Sequence, residues 1–154
     1  MMRKSKKIIC ILALAGLVLL GYFFWRSLQP VEIVAVHQRN NFSDVLVNNF
    51  PFTDKGKVNW WLDNKDKLKE KYDIPKPASY GLFTIVIWKF GEGYKYAGKY
   101  DRMCFEDMKE KRNCIDKNVL FIISNDKDDD MFFVGDNGTY RMGKDGEIVK
   151  IRRE

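Results

Sequence analysis

Hydrophobic and polar positions along the 154-residue chain fall into three regimes. From Ile8 to Trp25, eighteen consecutive residues carry no charge. At about 1.5 Å per residue such a run makes a helix roughly 27 Å long, close to the hydrocarbon thickness of a bilayer. It is apolar on every face, which disfavours a helix buried in a soluble protein. Between about 54 and 72 the pattern becomes helical and amphipathic. Val58, Trp61, Leu62, Leu68 and Tyr72 fall along one stripe, while Asp63, Asp66, Lys67, Glu70 and Lys71 lie mostly elsewhere. Thr53 or Asp54 supplies the N-cap, and Asp73-Ile74-Pro75-Lys76-Pro77 ends the helix.

The remaining segments read as strands. Val31–His37 is rich in β-branched residues, and Phe83–Phe90 is the clearest strand in the chain. Phe42–Phe50 has mixed spacing and fits either a strand or a short helix capped by Ser43 or Asp44. Gly91-Glu92-Gly93 is expected to turn the chain back into a strand over Tyr94–Phe105, broken at Gly98. Val119–Asn125 and Met131–Val134 follow, joined by an acidic turn. Asp136-Asn137-Gly138 and Lys144-Asp145-Gly146 bracket strands at 139–142 and 147–151. The expected fold is α+β: one transmembrane helix, then an antiparallel sheet with one long helix packed across it.

Charge gives the first run an orientation. Arg3, Lys4, Lys6 and Lys7 precede it, and only Arg26 follows closely, so the N-terminus is expected in the cytoplasm and the rest across the membrane. The aromatic cluster Tyr22–Trp25 suits a headgroup boundary. Ala13-Leu14-Ala15 has the form of a cleavage site. Cutting there would leave too short an apolar core before the site and a greasy new terminus after it, so an uncleaved anchor is expected. The organisation is then a basic tail (1–7), an anchor (8–25), a linker (26–30) and a domain (31–154). Cys10 reads as a small apolar residue of the anchor. The glycines Gly16 and Gly21 lack the spacing of a close-packed helix dimer.

The formal charge of +6 does not indicate nucleic acid. Residues 1–25 hold four basic residues and no acid, leaving 23 basic against 21 acidic residues in the remainder. Cys104 and Cys114 are the cysteines of that remainder. Nine residues lie between them, six charged, and in an oxidising compartment two thiols so close are expected to pair. Two free thiols or half a metal site are the alternatives, and the latter needs ligands beyond the single His37.

Several strings together are specific. Pro30–His37, Phe50–Lys57 (Phe-Pro-Phe-Thr-Asp-Lys-Gly-Lys), Trp60-Trp61 and Gly146–Ile151, with the anchor and the cysteine pair, resemble a family of small enterobacterial membrane proteins. That family is catalogued only as a domain of unknown function. The resemblance implies a bacterial inner membrane and a periplasmic domain, and it carries over no catalytic or binding residues.

Candidate chemistry is sparse. Asp126, Asp128 and Asp130 match the first positions of a calcium loop, but Met131 stands where glycine is needed and Asn137 where a bidentate glutamate is needed. A solvated turn is the expectation. His37 reads as a strand-end histidine with an ordinary hydrogen bond, since no nucleophile or second ligand is signalled beside it. Trp60 lies about 100° from Trp61 around the helix, off the apolar stripe. It is either second-layer core or an exposed aromatic for a partner or bilayer surface. No phosphate loop, nucleophile elbow or metal signature occurs, so no cofactor or metal is expected. The functional expectation is a non-enzymatic, membrane-tethered protein-interaction module or accessory subunit of an envelope complex. An immunity-type protein binding an incoming toxic effector is the alternative, and an enzyme a lesser one.

Overall fold

A computed structural model describes residues 2–152. The chain divides after Pro30 into two compact units. The first holds helix α1 (Met2–Ser27), whose apolar side chains are exposed along its length. Among the described residues α1 is the one helix long and apolar enough to cross a membrane.

The second unit is built on a seven-stranded sheet. Its strands are β1 (Glu32–Arg39), β2 (Phe42–Asn48), β3 (Thr84–Lys89), β6 (Val119–Asn125), β7 (Met131–Gly135), β8 (Gly138–Met142) and β9 (Ile148–Ile151), side by side in that order. Helix α2 (Asp54–Tyr72) joins β2 to β3, and a two-stranded sheet of β4 (Arg102–Cys104) and β5 (Cys114–Asp116) lies between β3 and β6 in sequence. Phe42–Phe50 resolves as a strand. Its Val45 and Val47 face the opposite side from Asp44 and Leu46, and both sides are buried, which a surface helix could not achieve.

The sheet is α+β and mostly antiparallel, with one parallel pair, β2 and β3. The cause is the connection. A 19-residue helix returns the chain to the end from which β2 started, so the next strand runs the same way. Thr53 caps α2 by accepting the Gly56 N–H at 3.0 Å, worth about 1 kcal/mol, and Asp73 closes it in the left-handed conformation at φ 55°. Val58, Trp61 and Leu68 of α2 are buried against one sheet face, where cross-strand rows such as Val45–Ile87–Phe121 and Ile85–Ile123–Phe133 form the main core.

The expected hairpin after Phe90 does not form. The place beside β3 is taken by β6, whose side chains are apolar toward both faces for most of its length. Tyr94–Asp101 alternates tyrosine and glycine with lysine and aspartate and has no such pair of apolar sides. The chain from Gly91 to Asn118 therefore leaves the sheet and folds over its second face. There Phe105 and Ile115 are buried against Leu46 and Trp88.

Candidate functional site

The second face shows an inverted polarity. Register places His37, Asp44, Val86, Ile122, Val134, Thr139 and Ile151 in one row across the strands. At the β1 end the row is polar and buried, with His37 6% and Asp44 0% exposed. Toward the β9 end it is apolar except for Thr139 and no longer buried, with Ile151 37% exposed. The 91–118 excursion covers the polar end. Over β6–β9 the face carries Ile122, Phe132, Val134, Val149 and Ile151, none of them buried.

His37 is the point on which the excursion is fixed. Its Nδ1 lies 2.9 Å from each oxygen of Asp107, and its Nε2 lies 2.8 Å from the Tyr94 hydroxyl. A carboxylate can only accept, so Nδ1–H donates to Asp107, which leaves Nε2 as the ring atom bonded to the Tyr94 hydroxyl. Phe105 stacks on the imidazole with ring centres 3.9 Å apart. Burial, together with the Asp107 and Glu110 charges, raises the Tyr94 phenol above its ordinary value of 10.0, which keeps it protonated. The Asp–His–Tyr row thus opposes formation of a phenolate nucleophile. It ties the start of the excursion, at Tyr94, and its middle, at Asp107, to β1.

Asp44, directly opposite His37, is satisfied from two sides. Arg39 donates through Nε at 3.2 Å and Nη2 at 3.1 Å, and the Trp88 indole donates at 2.8 Å. A second polar cluster joins α2 to the β7–β8 turn. The Asp54 carboxylate accepts the N–H groups of Asp136 and Asn137 and the Tyr140 O–H, each at 2.9 Å. Burial pushes its pKa up, but the Asn137, Tyr140 and Asp136 donors and the nearby Lys57 charge outweigh it and hold the pKa below 3.8. The Lys57 ammonium, itself buried, donates to Leu120 O at 2.9 Å and to Asp136 at 2.6 Å.

Cys104 and Cys114 face each other across β4 and β5 and form a disulfide. The loop it closes carries Phe105 and Asp107, both contacts of His37. Trp60 is half-buried, packed edge-on against Phe50 with ring centres 5.1 Å apart, at the margin of the main core. In the acidic turn, Asp126 accepts the N–H groups of Asp128 and Asp130, and Asp130 pairs with Arg141. Among the described residues no group of three His, Cys, Asp or Glu side chains is arranged to hold a metal.

Asp44, Asp54, Lys57 and Tyr94 went unmarked as site residues in the sequence. Asp44 had a readable signal, a lone charge inside the apolar string Val45-Leu46-Val47 and its neighbours. The partners of the others stand 57 to 86 positions away, beyond any local pattern.

A family model described as "Enterobacterial putative membrane protein", domain of unknown function 943, matches residues 2–152. The chain belongs to that family. The match takes in α1, the excursion and the whole sheet, so both units are family features. No curated protein and no solved structure matches the chain.

Proposed function

We propose that this is a single-pass inner-membrane protein, N-terminus in the cytoplasm, whose periplasmic domain is a non-enzymatic protein-interaction module or accessory subunit of an envelope complex. The observation that carries the reading is the uncovered half of the second sheet face. Five apolar side chains on β6, β7 and β9, interleaved with Thr139 and Arg141 of β8, are left partly or fully exposed, Val149 and Ile151 the most, beside the β9 edge of the sheet. Exposed apolar surface of this kind marks a contact for another molecule. The basic residues before α1, the membrane family and the disulfide support the address.

A photo-crosslinking amino acid at Val149 of the full chain, in native membranes, tests the module. Adducts with a protein are expected, and a chain that yields only uncrosslinked monomer from this position counts against it. Alkaline phosphatase fused after Arg152 tests the address, because that enzyme matures only where disulfides form. An inactive fusion would place the domain in the cytoplasm.

A further inference from the structure

The outer surface of the 91–118 excursion is a second, chemically different contact. Tyr96 and Tyr100 are 60% and 64% exposed. The Arg112 guanidinium lies 5.7 Å from the Tyr96 ring centre, and Arg102 and Lys99 lie 5.0 and 5.8 Å from that of Tyr100. The backbone that carries the rings is tied down. Arg102 Nη1 donates to Tyr96 O at 2.6 Å, Arg112 Nη2 donates to Tyr94 O at 3.1 Å, and the disulfide and His37 anchor the segment from beneath.

Charges here are partly matched, and the unmatched ones are mixed but cationic on balance: Glu106 and Glu110 are exposed acids, and Lys109 an exposed base, with no ion-pair partner among the described residues. Lys95 and Arg102 are matched by Glu92 and Asp116, and Lys117 by Asp101. Lys99, Lys111 and Arg112 are exposed and have no ion-pair partner among the described residues. Exposed tyrosines beside unmatched cations are the composition of interface anchors, and a backbone ordered beforehand spares the entropy of fixing it on contact.

Resting on the interaction-module reading, we infer that this surface docks an acidic segment of the partner protein. Carboxylates from the partner meet Lys99, Lys111 and Arg112, and the tyrosine rings give them an apolar floor. Phospholipid phosphates would meet the same cations, and the test separates the two.

The probe is a photo-crosslinker in place of Tyr96 in the full chain, irradiated in native membranes, with the adducts sequenced by mass spectrometry. The expected adduct is a protein segment with an excess of Asp and Glu. Adding Lys99→Glu and Lys111→Glu should lower its yield about tenfold, as reversal of close interface charges does. Neither lysine makes a hydrogen bond within the described chain, so the fold is not at risk. The Val149 crosslinker in the same double variant reports whether the module is still assembled. Adducts from Val149 but none from Tyr96, adducts from Tyr96 with lipid alone, or a Tyr96 yield indifferent to the two reversals would each overturn the acidic-partner inference while leaving the module standing. Loss of adducts from both positions in the unreversed chain would instead remove the module reading.

Discussion

Substituting Asp54→Asn, nearly isosteric, tests whether the polar cluster at the start of α2 fastens the helix to the β7–β8 turn. Three donors converge on one carboxylate. An amide has a single acceptor oxygen, and its NH2 must then face a donor. Tyr140 can rotate its hydroxyl to accept, but an N–H of Asp136 or Asn137 is left without a partner. An unsatisfied buried N–H costs about 1–3 kcal/mol, and losing the charge on the remaining bonds adds about 1 kcal/mol. The expected loss is about 2–4 kcal/mol, a large part of the roughly 5–15 kcal/mol that holds an ordinary domain. Tyr140→Phe removes one donor and leaves nothing stranded, so it should cost only about 1 kcal/mol.

The sign of the pH dependence follows from the direction of the shift. The folded-state pKa of Asp54 lies below 3.8, so its contribution is complete above the unfolded value and fades as pH falls through the folded one. The native protein should lose stability below about pH 5, and the Asn variant should show a flatter acid limb. Asp73, held low chiefly by its hydrogen bond from Lys69, and Asp116, held low chiefly by Lys95, keep some slope in both. Urea unfolding of the full chain in detergent, followed by the fluorescence of buried Trp61 and Trp88, measures both effects. Midpoints that agree within about 0.5 kcal/mol, or superimposable pH profiles, would refute the reasoning.

Gly135→Ala should destabilise the same junction by about 1–3 kcal/mol, because a β-carbon there would collide with the Asp54 carboxylate; a neutral result in the same urea assay would mean that the turn shifts freely. Cys104→Ser opens a loop whose ends are 10 positions apart and should cost about 2.5–3 kcal/mol, read as a lower urea midpoint; a reductant that lowers the native protein to the variant's level, and leaves the variant unmoved, completes the check. His37→Leu keeps an apolar contact for Phe105 but strands the Tyr94 hydroxyl, so amide exchange should quicken over 94–116 and stay slow in α2. Uniform acceleration across the domain would show that His37 supports the whole sheet rather than the excursion.

Local chemistry was readable wherever the deciding contact was local. Helix α2 begins at Thr53 and ends at Asp73 because a cap and a left-handed residue announce themselves within four positions. The turns around Asn137-Gly138 and Asp145-Gly146 are of the same kind. The order of strands was not readable, because it turns on a competition between distant segments. Tyr94–Phe105 follows β3 closely and has strand-like alternation, yet Val119–Asn125 takes the place, since a central strand must satisfy two apolar faces. The displaced segment cannot return to the sheet plane. It settles on the side of β1–β3, and this makes the polar residues His37 and Asp44 tolerable in a buried row.

The uncovered half of the face is the counterpart of that settlement. An excursion anchored by His37 and closed by the disulfide packs on β1–β3, so Phe132, Val134, Val149 and Ile151 keep the apolar character of a sheet interior without joining the cluster that it buries. In the sequence these positions look like any other core strand, which is why Trp60, off the stripe of α2, drew attention as a partner contact instead. Trp60 sits edge-on against Phe50 at the margin of the core. Exposure in this domain is set by how far a disulfide-closed excursion reaches, and the reach of a loop is a property of three-dimensional anchoring that hydrophobic periodicity does not record.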